Sequence, residues 1–558
     1  MLNDAEMELC KSLSATTLFD DMKNLSQFNR LSGSDGEKDA VNFLKERLTK
    51  AGIEWKLHSY PALLSNPQRA ELLCKYSQKE EIVPCKTWSF TSSTPKEGIE
   101  AYLQFVEKDL LEHHPLTFLA DYTANNKDFQ NVIVVSRTSN PVAIMEAERR
   151  GAVAFISVWE QGDESIVHEG NVNMIWGTPE PEQNHIYPHI PVVILCRPTG
   201  EKLIANIKKD RVLGKITTQV QEGITTIPVL EALIPAEEEN GNYLLVGNHL
   251  DSWHYGSADN ATGNAIALNL AEKTIKMTGK KFGLKICWWS GHSNGRYAGS
   301  STYASRNFLD LERNCLAYTN IDMPGMRGAT DFSRISAGPD LMEIASQTIH
   351  DITGQKGEWN HHVRGWDQSF QNIGISPYFI WSSTLPENNQ DTTANSFMSW
   401  WWHTEEDLPT YVSRDILEKD AQLYLTAASR VLCNQSFSFN IRALIQQIKK
   451  CFATPLFSSH LTYIKEITEM LEDIERVDTT KLSLQKQLFY VRQLNKILYA
   501  FKAPMLQDWA ISLEYIPGLS LAFSSLPQTA RGKLIIDRFA ETQKNRILLL
   551  LEKIKNCG

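Results

Sequence analysis

The chain has 558 residues, 42% hydrophobic and 22% charged, with a formal net charge of −10. That mild acidity, without any Lys/Arg-dense stripe, excludes a binder of phosphate backbones, so no nucleic-acid partner is expected. No run of about 18 or more apolar residues is present to span a membrane, and the length calls for three or more domain-sized pieces.

The opening, MLNDAEMELCKS, lacks a basic region followed by an apolar one, and no signal peptide is read there. Nine cysteines lie singly along the chain, with no CxxC pair and an odd count. Reduced thiols in a cytoplasmic protein are the simplest account. Ser34 and Glu37 form a capping-box pattern; Val41, Leu44, Leu48 and Ala51 follow at helical spacing, and Gly52 supplies a stop. The next stretch, IEWKLHSYPALL, has strand character. Nothing in residues 1–100 suggests chemistry of its own.

Between about Glu100 and Thr226 the pattern turns to short strands and one helix. NVIVVSR reads as a buried strand, PVAIMEAERRGA as a helix ending near Gly151, and VAFISVW and IPVVIL as two more strands, a self-contained β-α-β unit. The segment between the last two strands carries His168, His185 and His189 at irregular spacing, interrupted by Pro179, Pro181 and Pro188. It reads as a surface or substrate-facing loop, not a second metal site.

From about Leu230 strands and helices alternate, which marks a layered α/β domain. The stretch YLLVGNHLDSWHYGSADNATG organises it: an apolar run from Tyr243 to Val246 turns polar at Asn248, His249 and Asp251, and Asp259 follows ahead of the helical AIALNLAEK. A strand that delivers an imidazole and a carboxylate at its carboxyl end provides what a divalent metal needs, although a buried His–Asp pair has the same pattern. His292, Asp322 and His403 also sit at or just beyond apolar runs. Ligands of open α/β sheets collect at the carboxyl ends of strands.

Arg296, in GRYAGS, reads as the start of a helix and either anchors a substrate carboxylate or forms a surface ion pair. Trp400, Trp401 and Trp402 adjoin His403; three consecutive aromatics cannot all face one core, so at least one should line the pocket. From about Ser413 the chain reads as helical, with Ile464, Ile467, Leu471, Ile474 and Val477 at three- and four-residue intervals and a last apolar helix containing Ile547 to Leu551. An apolar outer face on that bundle would make it a homodimer interface.

The joint order of these motifs — HxD, then ADNxxG, a strand ending in a polar pair, NxD, and a final HT — resembles the zinc aminopeptidase and glutamate-carboxypeptidase family, which also includes the transferrin receptors. The resemblance covers most of the chain. It implies an α/β fold with a central mixed sheet flanked by helices. The parts expected are the first portion of the catalytic domain (1–100), a protease-associated-like insertion (101–228), the metallopeptidase-like domain (229–435) and a C-terminal helical dimerisation domain (436–558).

Carried over by position, the resemblance makes His249, Asp259 and Asp322 ligands of one metal. Asp259 would bridge to a second metal that His403 also binds, and Asp251 would be the carboxylate that orients His249. His361 and His362 fall on its substrate side, with Asp367 in the segment that follows, and Trp402 and Arg296 border the same pocket. One place departs from the family. Where it has two adjacent glutamates, a general base and a ligand, this chain reads Gly291, His292, Ser293.

A serine hydroxyl is a poor ligand beside a carboxylate. Loss of two negative charges also raises the repulsion between two close dications. Two arrangements fit: one metal with His292 as the base, or His292 as a ligand beside His403. The expectation is a metal-dependent hydrolase of a peptide or small amide, with one or two divalent ions, zinc first among them. A receptor-like binding protein and an acyl-transferring or cyclising enzyme on the same fold are the alternatives.

Overall fold

The computed structural model describes residues 1–77, 79–121, 127–162, 164–183, 186–238, 240–357, 364–386 and 398–557. Its strands in chain order are β1 (Glu54–Lys75), β2 (Glu80–Val83), β3 (Lys86–Thr87), β4 (Ile99–Phe105), β5 (Val132–Ser136), β6 (Ala154–Val158), β7 (Val192–Leu195), β8 (Leu213–Ile234), β9 (Tyr243–His249), β10 (Gly283–Trp289), β11 (Cys315–Asn320) and β12 (Ser376–Ile380). All twelve join one sheet, ordered β12-β11-β9-β10-β8-β4-β5-β6-β7-β3, with β1 against β8 and β2 against β1. The result is the mixed α/β fold expected, with helices against the sheet and a helical C-terminal region.

The strand β8 explains how two sheet regions share one ladder. It has 22 residues, which at about 3.3 Å each is long enough to serve both. Its first part pairs antiparallel with β4 and its last part antiparallel with β10, while β1 runs beside it from end to end. On the β4 side, β4, β5, β6 and β7 are mutually parallel, and their runs VIVVS, AFISV and VVIL are apolar because both faces are covered. Val134, Phe155 and Val192 pack on Ala143, Ile144 and Ala147 of the helix Pro141–Arg149. Ile133, Ile156 and Val193, one residue out of phase, pack on Leu203 and Ile204 of the helix Arg197–Ile207.

On the other side β9, β10, β11 and β12 are parallel, so their carboxyl ends share one edge. The run YLLVGNH is buried at every position, and the helix Thr262–Thr274 covers it. In the helix Asp35–Lys50 the Ser34 hydroxyl caps the Glu37 amide at 3.2 Å, as expected, and Val41, Leu44 and Leu48 are buried. The Glu37 carboxylate takes the Gly33 amide at 2.7 Å, one residue earlier than a capping box would place it.

The C-terminal helices pack onto this core. Ile464, Ile467, Leu471 and Ile474 are buried on the helix Leu461–Glu475, whereas Val477 lies beyond its end and is exposed, so the apolar repeat stops one step early. Arg492, almost fully buried, donates to the carbonyls of Leu311, Glu312, Gly374 and Cys315 and so fastens the helix Leu484–Tyr499 to the ends of β11 and β12. All nine cysteines are free. Among the described residues, no helix is long and apolar enough to cross a membrane.

Candidate metal centre

His249 ends β9, and the chain then turns through a loop that brings Asp259 back to it. Arg30, fully buried, fixes that loop. Its guanidinium donates to the carbonyls of Leu250, Tyr255 and Gly256, and also to Leu25 and Phe28. Five backbone acceptors in place of a carboxylate leave burial to dominate, and the group is pushed down to about 10. Asp407 completes the cradle by accepting the amides of Ala258 at 2.8 Å and Asp259 at 2.9 Å.

Within this frame Asp259 is shared. Its Oδ1 lies 2.9 Å from His249 Nε2 and its Oδ2 lies 3.1 Å from His403 Nε2. Asp322, just past β11, places Oδ1 3.3 Å from the same His249 nitrogen. The other nitrogen of each imidazole is committed to a backbone carbonyl. His249 Nδ1 donates to Asp251 at 2.8 Å, and His403 Nδ1 donates to Glu169 at 3.1 Å. Both rings therefore turn Nε2 inward, the setting in which histidine serves as a ligand.

Electrostatics agree with a cation site. Burial alone would push His249 down, but the carboxylates of Asp322 and Asp259 outweigh it and hold the imidazole well above its ordinary range. Asp259 is raised by burial and lowered more strongly by the two imidazoles, ending well below the usual carboxylate range. The pocket thus stabilises positive charge at His249 Nε2. Nitrogen and carboxylate donors in this proportion suit zinc.

His292 belongs to the same pocket. Its ring stacks on His249 with centroids 3.8 Å apart and planes 11° apart. Ligand atoms of His249, His292 and Asp322 all lie within 4.8 Å of one another. Expectation placed His292, if it were a ligand, beside His403; the structure groups it with His249 and Asp322. The chain reaches this position because Asp251 shapes the turn after β10: its carboxylate takes the amides of His292 and Ser293 at 3.2 and 2.9 Å, and the Ser32 hydroxyl at 2.8 Å.

Asp251 therefore orients His249 with its carbonyl, while its carboxylate holds the Gly291-His292-Ser293 turn. This corrects the expected carboxylate–imidazole contact.

Two residues read as substrate contacts sit elsewhere. Asp367 is buried behind His292, with Oδ2 2.7 Å from His292 Nδ1 and Oδ1 accepting the Ser300 hydroxyl at 2.5 Å. Arg296 does not begin a helix: it and Tyr297 have φ of 49° and 69°, and the helix starts at Ala298. Its guanidinium donates to the Ala510 carbonyl at 2.7 Å, so the arginine braces the C-terminal region.

Of the three tryptophans, Trp400 and Trp401 pack on Tyr411, and Trp402 stacks on His403 at 3.5 Å, where the pocket was expected. His168 stacks on Trp159, and its Nδ1 donates to the Trp402 carbonyl. Burial pushes it down to about 4. His189 is exposed near Glu148. His185, His361 and His362 lie outside the described residues.

Sequence reasoning missed Arg30, Asp407 and Trp176. The last comes from the loop after β6, stacks on Tyr297 at 4.0 Å and so carries the middle unit to the site wall. Tyr297 in turn stands edge-on to His292 at 4.9 Å. A lone arginine or tryptophan in a loop has no periodic signal to mark it.

The chain is similar to known proteins in part of its sequence and in its fold. Residues 230–428 match the family model described as Peptidase family M28. A Zea mays protein named "Probable glutamate carboxypeptidase" is 30% identical over 162 residues, 27% of this chain and 22% of that protein. The match thus spans only about a fifth of that relative's length. An aminopeptidase of Pseudomonas aeruginosa is 23% identical over 440 residues, covering 73% of this chain and 78% of its own. The fold is that of a solved zinc aminopeptidase from Bacillus subtilis, with a TM-score of 0.55 at 18% identity over 76% of this chain and 97% of that one. Residues 230–428, which contain His249, Asp259, Asp322 and His403, are thus the part of the chain that is similar to peptidase family M28.

Proposed function

We propose that the protein is a metal-dependent hydrolase of a peptide or small amide bond. The observation that carries this reading is the shared carboxylate of Asp259, one oxygen on each of two inward-facing histidines, with Asp322 beside the first. His249, Asp259, Asp322 and His403 would hold the divalent ion or ions. Zinc is the choice supported by the donor set and by the similar fold of a zinc aminopeptidase. The chemistry a bound dication supplies is polarisation of the scissile carbonyl and acidification of a water.

His292 is the proposed proton acceptor. Its Nδ1 is occupied by Asp367, so Nε2 is the nitrogen free to take a proton from the attacking water and return it to the leaving amine. Asp251 acts by holding the turn that carries this ring. Trp402 and Tyr297 supply apolar walls that exclude water and seat the substrate. The Gly-His-Ser turn also favours a second reading, a receptor-like binder, because its serine gives the site no carboxylate.

Residues 101–228 are proposed as a protease-associated-like unit, supported by their β-α-β core and by Trp176 at the site wall. A homodimer through the C-terminal helices is supported by exposed Leu534, Ile535 and Leu549 on the helix Ala530–Cys557. Cytoplasmic residence is supported by the nine unpaired cysteines.

Metal analysis of purified protein, joined to a screen of aminoacyl and acidic dipeptide amides, tests the central claim. Bound zinc with turnover that a chelator removes is the expected result. A protein that takes up no metal at micromolar concentrations would favour the binder.

A further inference from the structure

His292 stands where the family pattern has a carboxylate, and an imidazole, unlike a carboxylate, must be set in one of two tautomers before it can accept a proton in a given direction. The structure contains a chain of hydrogen bonds that makes that choice. Behind His292 lies Asp367, buried to 1% exposure, with Oδ2 2.7 Å from His292 Nδ1. Its Oδ1 accepts the Ser300 hydroxyl at 2.5 Å. Ser300 Oγ lies 2.8 Å from Ser369 Oγ, and Ser369 Oγ accepts from Trp176 Nε1 at 2.7 Å. The Ser300 hydroxyl also approaches the Tyr297 carbonyl, at the longer distance of 3.3 Å.

The direction of every proton in this chain follows from its ends. An indole nitrogen can only donate and a carboxylate can only accept. Trp176 must therefore give its proton to Ser369, Ser369 to Ser300, and Ser300 to Asp367. The remaining oxygen of Asp367 can be satisfied only by a proton on His292 Nδ1. Nε2 is then left without a proton.

We propose that Asp367 is a positioning residue that fixes His292 as the Nδ1-protonated tautomer, and that the chain from Trp176 holds the Asp367 carboxylate in place, tying its position to the middle unit. The proposal rests on the reading of His292 as the proton acceptor of a hydrolase. It assigns Ser300 and Ser369 a part that neither local sequence nor burial alone suggests. Trp176 lies in the segment between β6 and β7, so the middle unit reaches the proton-accepting ring through four hydrogen bonds as well as forming a wall.

The test uses the full-length, zinc-loaded protein with 15N-labelled histidine. The His292 ring signals are identified by their loss in His292→Ala. In the wild type Nδ1 should carry the proton; in Asp367→Asn, which keeps the size of the side chain, the population should move to Nε2 or average between the two. With an amide substrate, Asp367→Asn should lower kcat on the order of 10- to 100-fold with KM within about twofold, and Asp367→Glu should recover part of the loss. Trp176→Phe keeps the ring on Tyr297 but removes the donor, and should lower kcat by a smaller factor, about threefold to tenfold.

A wild-type His292 protonated at Nε2, or a tautomer unchanged by Asp367→Asn, overturns the proposal. Full kcat in Trp176→Phe overturns its extension to the middle unit. The NMR arm needs no turnover, so the two failures can be told apart. A protein that cleaves no amide yet shows the Asp367-dependent tautomer supports the positioning role and rejects the hydrolase. An active enzyme with an Asp367-independent tautomer overturns the positioning role alone. If Asp367→Asn does not fold, Asp367→Ala removes the acceptor from His292 Nδ1 and should shift the tautomer the same way.

Discussion

Glu169 and His403 hold each other through two hydrogen bonds: the Glu169 amide donates to the His403 carbonyl at 2.7 Å, and His403 Nδ1 donates to the Glu169 carbonyl at 3.1 Å. Both use the backbone of Glu169, which leaves its side chain to Lys86 and His254. The contact sets a candidate ligand from the segment between β6 and β7, and Trp402 presses on the other side of the imidazole. Glu169→Ala should therefore leave zinc affinity within about threefold, whereas Trp402→Ala should weaken it about tenfold by freeing the ring. Zinc titration against a competing chelator measures both. Equal losses in the two variants would show that the side chain of Glu169, not its backbone, positions the histidine.

Removing the shared carboxylate is the sharper perturbation. Asp259→Ala takes a partner from His249 and from His403 at once. Loss of an outer partner alone costs about 10- to 100-fold in metal affinity, so loss of a direct ligand, the role proposed for Asp259, should exceed about 100-fold. Metal content after dialysis should fall to background. Retention of one equivalent would assign the ion to His249, His292 and Asp322 without Asp259.

Much of this site could be read from local pattern. The apolar run Tyr243–Val246 ending at His249 announces a strand end, and β9 is buried along its whole length as such a run requires. The helix after Ser34 and the strands of the middle unit were legible for the same reason: apolar spacing and caps act over a few residues. What stayed hidden depends on chain closure. Asp367 pairs with His292 across 75 positions, and Arg30 reaches Leu250 across 220.

No periodicity records such contacts, so Asp367 looked like a substrate residue and Arg30 drew no reading at all. Arg296 misled differently. Its sequence, RYAGS, suits a helix start, yet left-handed backbone at Arg296 and Tyr297 delays the helix and turns the guanidinium toward Ala510.

Arg30 invites a conservative substitution that should not be tolerated. Lysine keeps the charge but offers three donors from one nitrogen, where the guanidinium fork reaches five carbonyls in different directions. Arg30→Lys leaves buried carbonyls unpaired and should cost about 2–4 kcal/mol of stability. Urea unfolding gives the magnitude. Because Leu250, Tyr255 and Gly256 belong to the loop between His249 and Asp259, zinc affinity should fall in the same variant. A stability loss with full zinc affinity would show that Asp407 alone holds that loop.

Two buried carboxyls predict how stability changes with pH. Burial pushes Asp340 up to about 6, only partly offset by the Ser376 hydroxyl, and pushes Asp420 up to about 6 against its bonds from Ser383 and Gly325. For an acid whose folded pKa lies above its unfolded one, the folded state holds the proton more tightly. The contribution is complete below the unfolded value near 3.8 and is lost as pH rises through about 6.

Each group should remove on the order of 1 kcal/mol of stability between pH 5 and pH 8. Asp340→Asn cannot titrate, so its stability relative to wild type should improve by about that amount over the same interval. Chemical denaturation at the two pH values measures the difference. A variant whose relative stability stays flat from pH 5 to pH 8 would mean that Asp340 is ionised in the folded protein throughout, with the Ser376 hydroxyl enough to hold its charge.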